Sequence, residues 1–128
     1  MKTGIFATIY GPSKTGKSVC TGAVGAAGLF IANPGGLLSV QTFLGIEKLK
    51  VVSPTDVESA AKIIQESMGK YPTIVVDDFS LMVDFTVRQL EKERSGWDMW
   101  RALRAQVMMI RDVAREATVK GTHVIFNC

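Results

Sequence analysis

Near the start of the chain, Gly11-Pro12-Ser13-Lys14-Thr15-Gly16-Lys17-Ser18 matches the pattern G-x-x-x-x-G-K-[ST] at every fixed position. The spacing has a chemical purpose. Glycines let the backbone wrap closely around a phosphate, with its N–H groups turned inward. Lys17 then reaches the β- and γ-phosphates of a nucleotide, and the Ser18 hydroxyl serves as a ligand for Mg²⁺. A helix opening at Lys17 adds its unpaired N–H groups and the positive end of its dipole. The expected phosphate-binding set is therefore Gly11, Pro12, Ser13, Lys14, Thr15, Gly16, Lys17, Ser18 and Val19. A second carboxylate-bearing stretch supports it. Ile74-Val75-Val76-Asp77 is an apolar run ending in an acid, and Asp77 is the expected second metal ligand, facing Ser18 from a strand beside the one that feeds the loop.

The elements that must position these residues alternate along the chain. Gly4 to Tyr10 is a β-rich apolar run suited to a buried strand, with Tyr10 as strand packing. Lys17 to Ala27 is a short helix weakened by Gly22 and Gly25. Leu29 to Ala32 is a strand, stopped by Asn33-Pro34-Gly35-Gly36, and Leu37 to Leu44 a short helix. Leu49 to Ser53 is a third strand. Thr55-Asp56-Val57-Glu58 reads as a capping box opening a helix that runs to Met68. Strand follows at Thr73 to Asp78, helix from about Leu81 to Glu93, a break at Ser95-Gly96, a long helix from Trp97 to Val119, and a last strand at Thr122 to Asn127. Alternating strands and helices mean an α/β domain with a mostly parallel sheet, here a single domain over residues 1–128.

Composition narrows the class. Apolar residues at 47% and charged residues at 21% are ordinary for a globular domain. No apolar run is long enough to span a bilayer, and the N-terminus lacks a signal-peptide layout, so no membrane role is expected. Cys20 and Cys128 lack metal-site spacing, which fits a reducing, cytoplasmic compartment. The net charge of +3 is mild, but all six arginines lie between Arg88 and Arg115. Arg101, Arg104, Arg111 and Arg115 fall within about 80° on a helical wheel, beside an apolar stripe of Leu103, Val107, Ile110, Ala114 and Ala117. That face is an edge for DNA phosphates, an arginine offered to a neighbouring subunit's nucleotide, or, as is common on amphipathic helices, a solvated surface with Asp112 and Glu116 as ion-pair partners. Trp97 and Trp100 either stack on bases or, the more common use, pin the helix start to the core. Met82, Met99, Met108 and Met109 read as core filler, and His123 as a strand residue without a ligand role.

The element order, together with the phosphate loop, resembles the RecA-like ATPases, and most closely phage-type recombination and single-strand-annealing ATPases with that core. The resemblance covers most of the chain; its specific part is the loop. It implies a three-layer α/β/α P-loop fold, Mg-ATP as cofactor, ATP hydrolysis coupled to DNA recombination or replication, single-stranded DNA as partner, and assembly into a homo-oligomeric ring or filament. By the same resemblance Lys17 stabilises charge on the transferred phosphoryl group, Asn127 senses the γ-phosphate or orients water, and the Lys92–Asp98 loop contacts DNA. Two positions depart from the pattern. A glutamate is expected just past the second strand, but the chain reads Ala32-Asn33-Pro34, which leaves Asp78, with Glu47 behind it, as candidate base or makes hydrolysis slow. Cys128 stands where a sensor glutamine is expected. The resemblance further implies one more strand beyond Cys128, as in the N-terminal portion of a longer core. A nucleotide-binding switch with little hydrolysis and a small-molecule kinase are the competing readings; the absence of an Asn/Thr-Lys-x-Asp motif favours adenine over guanine.

Overall fold

A computed structural model describes residues 3–10, 28–32, 50–54 and 56–128. Within them lie strands β1 (Phe6–Ile9), β2 (Leu29–Ala32), β3 (Lys50–Val52), β4 (Thr73–Asp77) and β5 (His123–Asn127), and helices α1 (Val57–Ser67), α2 (Phe79–Glu93) and α3 (Trp97–Val119). The strands form one five-stranded sheet in the order β1-β5-β4-β2-β3. Every pairing is parallel.

β2 and β4 lie inside the sheet and are buried at every residue, whereas β5, also inside, carries half-buried His123 and Ile125 among buried residues. β1 is a border strand among the described residues and alternates between exposed and half-buried, so the buried strand expected at Gly4 to Tyr10 is corrected. Tyr10 is 82% exposed and packs no strand. The expectation that β4 lies directly beside β1 is also corrected, because β5 pairs with both and separates them.

All three helices cover the same side of the sheet. Leu29, Ile31, Ile74, Val76, Val124 and Phe126 point into one core with Val57, Ala60, Ala61 and Ile64 of α1, Met82 of α2, and Ile110, Ala114 and Ala117 of α3. These are two layers; the expected third falls on residues 11–27 and 33–49, outside those described. The ring of Phe126 packs between Phe6, at 5.3 Å, and Phe79, at 5.1 Å.

The start of α1 ties the helices together. Its N-cap is Asp56, whose Oδ1 accepts from the Ser59 N–H at 2.8 Å, so the cap lies one residue after the expected Thr55. Thr55 itself is outside the described residues. The Glu58 N–H donates to Gln106 Oε1 of α3 at 3.1 Å, and its carboxylate lies 3.8 Å from Lys62. The Val57 N–H donates to Thr86 Oγ1 of α2 at 3.1 Å. Thr86 is 1% exposed and its hydroxyl donates in turn to the Met82 carbonyl at 2.9 Å, so both capacities of that hydroxyl are used. Three elements thus satisfy the orphan donors of one helix end.

At the other end of β5 the backbones close up. The Gly4 N–H donates to the Thr118 carbonyl at 2.6 Å, and a side chain at Gly4 would collide with the Thr122 carbonyl, so only glycine fits. His123 Nδ1 accepts from the Ile5 N–H at 3.0 Å, a local tie on the entry to β1.

Candidate functional site

In an open parallel sheet the carboxyl ends of the strands and the turns beyond them form the natural ligand crevice. Here that row is well defined. Ile9 of β1 is in register with Asn127 of β5, Asn127 with Asp77 of β4, and Asp77 with Ala32 of β2. The Cys128 N–H donates to the Ile9 carbonyl at 2.8 Å, so the ladder holds up to the residue pair before Gly11. Strand spacing of about 4.8 Å puts Asp77 roughly 10 Å across the row from Ile9, with Asn127 between them.

Asp77 and Asn127 are both buried, at 7% and 1% exposure. Burying a carboxylate or an amide to such depth costs stability, which engagement of its polar atoms offsets. β4 and β5 carry them there because each places three apolar residues, Ile74 to Val76 and Val124 to Phe126, just before its last position.

Asp78 follows Asp77 through a cis peptide and is the N-cap of α2. Its Oδ1 accepts from the Ser80 N–H at 3.0 Å and the Leu81 N–H at 3.4 Å. The helix therefore begins at Phe79, two residues before the expected Leu81. The structure gives this carboxylate a structural task at the place where a base was expected.

Gly11, Pro12, Ser13, Lys14, Thr15, Gly16, Lys17, Ser18 and Val19 lie outside the described residues, as do Cys20 and Glu47. The row at the carboxyl ends therefore contributes Asp77, Asp78 and Asn127 and the strand that leads to the loop. Among the described residues no three His, Cys, Asp or Glu side chains gather as a metal cage. A single buried carboxylate does suit Mg²⁺, which is held by one or two protein oxygens together with substrate phosphates and water. Asp77 fits that part.

No family model and no curated protein matches this chain. Among the described residues no helix is long and apolar enough to cross a membrane.

Other candidates resolve plainly. His123 sits at the opposite end of β5 from Asn127, away from the row. Met82 and Met99 are buried, but Met108 is 39% exposed, which corrects its place in the core. Trp97 and Trp100 are 82% and 55% exposed, so they do not pin α3. Met99 and Leu103, packed with Leu90, do that instead. Glu116 pairs with Lys120 at 3.8 Å rather than with an arginine.

Proposed function

We propose that this chain is a P-loop nucleotide-binding domain of RecA-like type that binds Mg-ATP and hydrolyses it in connection with single-stranded DNA, in recombination or replication. The observation that carries the reading is the in-register row Ile9–Asn127–Asp77. It lines up the strand that enters the G-x-x-x-x-G-K-[ST] loop, a buried amide and a buried carboxylate at the carboxyl edge of a parallel sheet.

Roles follow from that alignment. Lys17 and the loop N–H groups of residues 13–19 hold the phosphates and offset charge on the γ-phosphoryl as it transfers. Ser18 and Asp77 would hold Mg²⁺, which would supply positive charge against the charge developing on the phosphates. Asn127 stands between the loop strand and Asp77 and reads the state of the γ-phosphate through its amide.

A second reading, a switch that holds ATP with little turnover, is favoured by one observation. The Asp78 carboxylate, the nearest base candidate, caps α2. Phosphate release from Mg-ATP, with and without single-stranded DNA and with Lys17→Ala as the blank, separates the two readings. DNA-stimulated release supports the ATPase; tight nucleotide binding with flat release supports the switch. Loss of nucleotide binding altogether would sink both.

A further inference from the structure

The outer face of α3 carries a feature that the nucleotide site does not use. Trp97, Trp100, Arg101, Arg104, Met108, Arg111 and Arg115 fall within about 100° of arc, and all are exposed. The acidic residues of α3, Asp98, Asp112 and Glu116, all lie outside that arc. Met99, Leu103, Ile110, Ala114 and Ala117 form the buried face beside that arc, and the buried Thr118 falls on its edge, in phase with Trp100. Along the axis the stripe runs about 27 Å, with two aromatic rings at its start and four guanidinium groups behind them.

Arg111 is 3.4 Å from Asp112, whereas Arg101, Arg104 and Arg115 have no ion-pair partner among the described residues. Gly96, with φ +59° and open space where a side chain would stand, and the two tryptophans line an open cleft of about 450 Å³. Arg94 and Arg101 line the next one together with Glu58, between α1 and α3.

We propose that this stripe is a binding track for single-stranded DNA, with unpaired bases stacked on Trp97 and Trp100 and phosphates running along Arg101, Arg104, Arg111 and Arg115. Exposed indole rings offer flat faces that any unpaired base can cover. A row of one charge sign, three members of it uncompensated, attracts a polyanion along its length. The arginines advance along the axis by about 4.5, 10.5 and 6 Å, a spread that suits successive phosphates rather than one bound anion. A duplex hides the base faces the indoles need, so it engages the arginines alone. The inference deepens the DNA part of the proposed function and is independent of nucleotide.

Trp97 and Trp100 are the only tryptophans in the chain, so their fluorescence reads the track directly. The test is titration of the full chain with a thymidine oligodeoxynucleotide of about 20 residues, without nucleotide, at several salt concentrations. The expected result is quenching, with a log–log salt slope of about −3 for four phosphate contacts. The double substitution Arg101→Gln, Arg104→Gln is expected to flatten the slope by about 1.4 and weaken binding at least about tenfold. Trp97→Ala is expected to weaken binding at least about fivefold through loss of one stack. Circular dichroism checks that these surface variants keep their fold. Because no nucleotide is present, the result stands apart from the nucleotide reading, which phosphate release from Mg-ATP tests separately.

Four results would overturn the proposal. They are absence of quenching at low salt, quenching indifferent to the arginine substitutions, tighter binding of a uridine oligoribonucleotide, and a tryptophan emission shift that follows protein concentration alone. The last would assign the face to a second copy of the chain.

Discussion

Asp77 and Asn127 are partners in register at the carboxyl ends of β4 and β5, and Asn127 is also in register with Ile9, two residues before Gly11. One amide therefore stands between a buried carboxylate and the strand that enters the phosphate loop. The proposed chemistry depends on that row, and several outcomes follow from it.

Asp77→Asn keeps the size of the side chain and removes its charge. We expect Mg²⁺-dependent turnover to fall by about a hundredfold or more, since the metal carries much of the stabilisation of the transferred phosphoryl. Nucleotide binding without Mg²⁺ should persist. Steady-state phosphate release across a Mg²⁺ titration checks it, and turnover at the parent level would remove Asp77 from the metal site.

Asp78 separates two tasks. Asparagine caps helices about as well as aspartate, so Asp78→Asn should leave stability within about 0.5 kcal/mol, while Asp78→Ala should cost about 1 kcal/mol. Thermal melts read this difference. If the carboxylate only caps, Asp78→Asn leaves turnover within about threefold, because a working general base contributes about 10²–10⁴. A larger drop with an unchanged melt would make Asp78 the base.

Thr86 joins α1 to α2 inside the core. Thr86→Val keeps the shape but leaves the Val57 N–H without its acceptor at a buried position, at a cost of about 1–3 kcal/mol. Thr86→Ser, which keeps the hydroxyl, should lose less. Denaturant unfolding of both variants tests the pair, and a larger loss in Thr86→Ser than in Thr86→Val would show that the methyl group, not the hydroxyl, matters there.

Much of this architecture was legible in the residues. β4 could be read because five consecutive positions lacked a polar face, and the buried stripe of α3 because Leu103, Ile110, Ala114 and Ala117 recur at helical spacing. Strand order was not legible. Parallel strands buried on both faces carry similar apolar runs, and nothing in His123 to Asn127 says that it pairs with both Phe6–Ile9 and Thr73–Asp77. The α1 cap was displaced because Thr55 and Asp56 are both good caps one residue apart. Thr86 and Gln106, distant in sequence, decided between them by taking the N–H groups of Val57 and Glu58. The exposure of Trp97 and Trp100 did have a signal. On the wheel they share the arc of Arg104 and Arg111, outside the stripe of Leu103 and Ile110, and that phase outweighs the usual preference of tryptophan for the core.

The most direct test of the central claim is phosphate release from Mg-ATP by the parent chain and by Lys17→Ala, each with and without single-stranded DNA. The account predicts release by the parent that rises with DNA and falls to the blank in Lys17→Ala. Release equal in the two proteins, or no nucleotide bound by either, would contradict it.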